Sequence, residues 1–160
     1  MEKKFELTAE CKIVCGIKLF RIRALRAIVR FGVKVGDLGG WVEKEENVSH
    51  DGDAWVCGNA EVCGNAKVYG DAEVCGNAEV YGDAKVCGDA DCLWFKNTWS
   101  SGRWFTYTRS NKKWKVGCFY GTGEELIAKA YKDSKLSGKC YEATVRYVEA
   151  LEKAKEGGAK

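Results

Sequence analysis

Cationic and aromatic side chains interleave in two stretches of this chain, and that combination suits an anionic, ring-bearing ligand. Residues 92–123 carry six basic side chains and no acid, spaced among tryptophans, phenylalanines and tyrosines. Residues 11–36 carry seven basic side chains and again no acid. Guanidinium and ammonium groups meet phosphate oxygens, while aromatic faces stack on bases. The candidate contacts are Arg21, Arg23, Trp99, Arg103, Trp104, Arg109, Lys112, Lys113 and Trp114. A nucleotide or a single-stranded nucleic acid is the expected partner. Replacing Arg103 and Arg109 by alanine is expected to weaken binding without unfolding the protein. A competing reading stays open, because alternating strand residues would turn half of these aromatics inward.

Other reactive side chains are sparse or poorly spaced. His50 is the sole histidine, and the nearest thing to a metal-binding pair is Cys11-x3-Cys15. No second close pair completes a four-ligand zinc site, so neither metal nor cofactor is expected. Nine cysteines, an odd count, with no export signal argue against a disulfide framework. Their expected role is that of small apolar residues. The segment MEKKFELTAE lacks the apolar core of a signal peptide, and no run approaches a membrane span. The expectation is a cytoplasmic protein with no membrane partner.

Charge separates along the chain although the net value is only +3. Residues 37–91 carry thirteen acids against three lysines, so two basic flanks embrace an acidic middle. Either the flanks fold onto that middle and neutralise it, or they face an anionic ligand.

The elements that position these side chains are set by a repeat. From Val56 the chain reads VCGNAE, VCGNAK, VYGDAE, VCGNAE, VYGDAK, VCGDAD, six units of equal length without insertion. A six-residue period suits neither an α-helix nor long hairpin strands. It suits short strands joined by tight corners, with Val filling the interior and Gly-Asn or Gly-Asp turning. The register begins near Val48, so residues 48–93 are read as a short parallel β-helix. The alternating Cys or Tyr that follows each Val should point outward, either as a patch for a partner or as a face covered by the flanks. Exposed strand edges at both ends must be capped, and that is the expected first duty of the flanking segments.

Those flanks divide the chain into 1–47, an N-terminal β segment and cap; 48–93, the repeats; 94–121, a basic aromatic hairpin turning at Ser110-Asn111; and 122–160, helices. Residues 3–35 read as strands. A helix should start at Thr122, since Thr122-x-x-Glu125 fits a capping box. A second should follow Ser137, with Tyr141, Val145 and Val148 on one face.

Hexapeptide repeats of this kind resemble the left-handed parallel β-helix, with three hexapeptides per coil; the handedness and the coil rest on that resemblance. Residues eighteen apart would then stack. The stretches FRIRAL, VGDLGGWVEKEENVS, the VCGNA/VYGDA series and GCFYGT together resemble small hexapeptide-repeat proteins of phages and prophages of Gram-positive bacteria. The resemblance implies a mainly β protein, a short left-handed β-helix with flanking hairpin segments and C-terminal helices, made in the cytoplasm of an infected host. Labels such as acyltransferase-like or polymer-forming rest in that group on the repeat alone, and a fold analogy does not establish activity. Small phage proteins of unassigned activity often antagonise host defence. The implied function is therefore a non-enzymatic binder that sequesters a signal nucleotide or nucleic acid, or masks a host defence protein. The alternative is an acyl-coenzyme A-dependent acyltransferase, which resembles its class only if His50 serves as general base. A purely structural role is a third reading. Charged, degenerate ends disfavour open polymers, and a closed homo-oligomer fits any of the three.

Overall fold

The computed structural model describes residues 2–158. An antiparallel hairpin, β1 (Phe5–Val14) and β2 (Ile17–Ala24), leads through a loop to β3 (Leu38–Val42). Six strands of two residues follow: β4 (Trp55–Val56), β5 (Glu61–Val62), β6 (Lys67–Val68), β7 (Glu73–Val74), β8 (Glu79–Val80) and β9 (Lys85–Val86). Four longer strands come next: β10 (Cys92–Lys96), β11 (Trp104–Thr108), β12 (Lys113–Val116) and β13 (Phe119–Gly121). Two helices close the described chain, α1 (Gly123–Asp133) and α2 (Lys135–Gly158). No helix among the described residues is long and apolar enough to cross a membrane.

The strand pairing corrects the expected fold class. The hydrogen bonds form mixed and separate sheets rather than a left-handed parallel β-helix. One sheet is five-stranded and mixed, in the order β1-β2-β3-β5-β8; one is four-stranded and antiparallel, β10-β11-β12-β13; β4-β7 and β6-β9 are isolated parallel pairs. The cause is the flank. The antiparallel hairpin and β3 add to β5, with Trp41 opposite Glu61, so that column grows to five strands, while β6-β9 gains only a single bridge from Val48 to Val68 and β4-β7 stays two strands deep. The eighteen-residue register nonetheless governs pairing inside the repeats: Val56 lies opposite Val74, Val62 opposite Val80, and Val68 opposite Val86. These valines, and the alanines four residues after each from Ala60 to Ala84, are almost wholly buried. The corner glycines Gly58, Gly64, Gly70, Gly76 and Gly82 all take φ between 62° and 68°, which a side chain would strain.

Two further expectations change. Residues 25–36 form a loop with a single 3-10 turn at Val29–Phe31 instead of a strand, closed by hydrogen bonds between Ala24 and the segment Gly36–Asp37. Cys15 and Cys118, 103 residues apart, form a disulfide between two hairpin turns, which the odd cysteine count did not suggest. The α1 start follows the expected capping box. Thr122 Oγ1 accepts from the Glu125 amide at 3.2 Å, and the Glu125 carboxylate accepts from the Thr122 amide at 2.9 Å.

Both ends of the repeat body are capped by side chains. Two-residue strands leave amides and carbonyls with no further strand to pair, and buried backbone groups must find partners. At the early end Asn47, fully buried, donates through Nδ2 to the carbonyls of Gly64 (3.2 Å) and Ala66 (2.9 Å). Its Oδ1 accepts from the Lys44 amide at 2.9 Å. At the late end the Glu79 amide donates to Thr106 Oγ1 (2.9 Å) and the Lys85 amide to Ser110 Oγ (2.7 Å). These positions continue the ladder in which the Glu61 and Lys67 amides reach the carbonyls of Ala78 and Ala84. A hydroxyl from the β10–β13 sheet thus replaces the next carbonyl.

Candidate ligand-binding edge

The sheet β10–β13 is a sandwich filling. Strand alternation sends Phe105, Tyr107, Trp114 and Val116 against Leu126, Tyr141, Val145 and Val148 of the helices. The opposite face lies on the repeat body, where the Trp94 ring packs over Gly76 and Tyr120 over Gly82. Interleaved basic and aromatic residues are therefore mostly enclosed. The flanks do fold onto the acidic middle.

The structure does not gather the nine predicted contacts. Trp114 is a core residue at 2% exposure, so no ligand reaches it. Arg109 is fastened to α2: its Nε and Nη2 donate to the two carboxylate oxygens of Glu152 at 2.9 and 3.1 Å, with Asp91 on the other side at 3.9 Å. That bidentate pair is a structural clamp. Arg21 and Arg23 belong to β2 in the other sheet. Arg21 donates to the Gly39 carbonyl and lies over Trp41, while Arg23 is paired with Glu6. Lys112 and Lys113 sit at the β11–β12 turn, Lys112 exposed and Lys113 half-buried.

What remains is one edge. Trp99 stands 84% exposed at the tip of the β10–β11 loop. The loop is braced: Asn97 Oδ1 accepts from the amides of Trp99 (3.1 Å) and Ser100 (3.3 Å), and the Tyr141 hydroxyl donates to Ser101 Oγ at 2.8 Å. Arg103, also exposed, ends this loop, and Trp104 follows on β11. Trp104 meets Trp94 at a ring-centroid distance of 5.2 Å, and Lys96 Nζ stands 5.5 Å from its ring. Lys96 lies directly opposite Trp104 in the strand register. Neither Lys96 nor Arg103 has a carboxylate partner within 4.0 Å among the described residues. Trp94 and Lys96 were not in the predicted set; the period of two from Trp94 to Lys96 was the available signal.

His50, the one histidine, is held on both sides. His50 Nδ1 accepts from the Lys4 amide at 3.1 Å, and Nε2 lies 2.8 Å from Glu45 Oε1. That network places the proton on Nε2 and leaves no free ring lone pair, which an acyl-transfer general base requires. The ring also stacks on Phe5 at 4.5 Å, beside an open groove of about 520 Å³ lined by Glu46, Ser49, Lys67 and Tyr69. Burial pushes the Cys63 and Cys92 thiols up to about 12 and raises that of Cys57, so these cysteines stay protonated and unreactive at neutral pH.

A buried ionic cluster joins the body to both caps. Lys12 Nζ reaches Glu61 at 2.7 Å, the Tyr81 hydroxyl donates to Glu61 at 2.7 Å, and Lys115 Nζ lies 4.4 Å from the Tyr81 ring centre. Cys63 and Tyr81, outward by alternation, are covered here by Leu19 and Trp41. Glu79, stacked on Glu61, has its carboxyl pushed up to about 7 by desolvation, with Lys115 and Lys12 opposing and Glu61 reinforcing. Its folded-state pKa lies above the ordinary 4.5, so the folded protein holds the proton more tightly and stability falls as pH rises from about 4.5 to about 7. Glu79→Gln is therefore expected to stabilise the protein by roughly 1 to 2 kcal/mol at pH 8, after discounting for solvent screening of a half-buried group. The gain should vanish at pH 4; urea denaturation at both pH values checks it.

No family model matches this chain, and no curated protein matches it.

Proposed function

We propose that this chain is a non-enzymatic binding protein whose Trp99 edge holds an anionic polymer, with single-stranded nucleic acid as the ligand. The observation that carries the reading is Trp99, 84% exposed on a braced loop beside Arg103, Lys96 and Trp104. An exposed indole offers a large aromatic face on which a base can stack. The loop's side-chain bonds hold it ready, so little ordering entropy is lost on binding. Trp99 projects 84% exposed, so little surrounds its ring. A single nucleotide would be poorly enclosed there, whereas a strand can place successive bases on Trp99 and Trp104 and its phosphates near Lys96 and Arg103. Sequestration in the cytoplasm of an infected host is the setting that the phage-protein resemblance suggests.

Fluorescence anisotropy with a labelled oligothymidylate tests this. Trp99→Ala and Arg103→Ala are each expected to weaken binding by about tenfold, Arg103→Ala also lowering the salt dependence, with melting temperatures unchanged. Arg109→Ala should instead lower stability through the lost Glu152 clamp. Wild-type affinity in Trp99→Ala would remove the site.

A further inference from the structure

The loop Leu25–Gly36 reads LRAIVRFGVKVG, composed only of apolar residues, glycine and cations. Ile28 and Val33 anchor it in the core and bridge to each other. Their neighbours point the other way: Val29 is 89% exposed and Val35 67%, with Leu25 and the adjacent Leu38 also open. Arg30 and Lys34 are exposed between them. Arg30 pairs with one acid, the exposed Asp71, at 3.6 Å, which solvent screens, and its guanidinium lies 5.8 Å from the Phe31 ring centre. Arg26 donates to the Gly52 carbonyl and adds its charge from behind.

We propose that this loop docks on an anionic phospholipid surface. Charge complementarity selects the sign of the partner, since residues 25–36 hold three cations and no acid, with Asp37 the one acid at the edge of the second turn, where its carboxylate accepts from the Lys34 amide. Shape selects its kind. The exposed side chains are small aliphatics on two convex turns, at Val29–Gly32 and Lys34–Asp37. Protein partners usually anchor through aromatic or arginine side chains seated in pockets, whereas a lipid interface receives aliphatic tips at any contour while cations stay at headgroup level. Phe31, the one aromatic here, packs against the core instead. The surface lies on a different segment from the Trp99 edge and stands or falls independently of it.

Flotation of the full chain with vesicles of phosphatidylglycerol, against vesicles of phosphatidylcholine, is the test. The expected result is partition onto the anionic vesicles alone, weakened by salt. Val29→Ser with Val35→Ser should reduce it by about tenfold, and Arg30→Ala with Lys34→Ala should abolish the preference for the anionic lipid, all with unchanged melting. No partition onto phosphatidylglycerol, or partition that the serine pair leaves unchanged, overturns the proposal. So does a serine pair that dissociates an oligomer in sedimentation without altering flotation, which would give the face to a second copy of the chain.

Discussion

Gly39→Ala is expected to cost more than about 3 kcal/mol and to leave the protein largely unfolded at physiological temperature. A Cβ at that position would stand 2.5 Å from the Val56 carbonyl oxygen, 2.6 Å from Ile22 Cγ1 and 2.8 Å from Trp55 Cζ2. The first of these is backbone and the other two belong to fully buried side chains, so none can yield cheaply. Overpacking a well-filled core costs roughly 1–3 kcal/mol, and three simultaneous clashes around rigid groups belong at or beyond the upper end. Gly40 is similarly hemmed in by Val56 Cγ1 at 2.6 Å and the Ala60 carbonyl at 2.7 Å. Circular dichroism melts and urea midpoints of the single variants check the expectation. Alanine at Gly88, whose backbone is extended and which has nothing within 4 Å, should cost far less and serves as the control.

Asn47→Ala is expected to cost about 3 kcal/mol, through a different mechanism. The side chain makes three hydrogen bonds with no solvent access, and its loss strands the carbonyls of Gly64 and Ala66 at the body's edge. Leaving buried acceptors unpaired costs roughly 1–3 kcal/mol each, with partial relief if water enters. Asn47→Asp should be no better, because a carboxylate still accepts from Lys44 but opposes both carbonyls. Urea denaturation gives the size of the loss. Amide exchange should show Gly64–Ala66 opening before the rest of the body.

Much of the local structure was legible because it follows from short-range rules. The six-residue period places Val inside at every unit and Ala inside at all but the last, where Ala90 is exposed, and Thr122 with Glu125 marks a helix start. The GDLGGWVEKEEN stretch turns out to hold the close-approach glycines Gly39 and Gly40 and the capping Asn47. The fold class was misread because periodicity is blind to what joins a sheet from outside. β3 extends one column of the body and not the others, and nothing in VCGNAE announces that. The site was misread for a related reason. Trp114 and Trp104 look alike in a strand pattern, and both faces of their sheet are covered, so neither parity means solvent. Arg109 finds its partner 43 residues away in Glu152, and Cys15 finds Cys118 across 103. Trp99, by contrast, sits among Asn, Thr, Ser and Gly, a loop composition that does signal exposure.

The eighteen-residue register sets how this protein can change length. The hydroxyls of Thr106 and Ser110 meet the amides of Glu79 and Lys85, which belong to different columns of the body. A duplication of eighteen residues would return every column to its place, so Thr106 and Ser110 would meet equivalent amides, while the Cys15–Cys118 bond between the two caps would have to span the added residues. A duplication of six would present the wrong column to each hydroxyl. Natural variants of this architecture should therefore differ in size by whole eighteen-residue steps, with single hexapeptide gains or losses selected against.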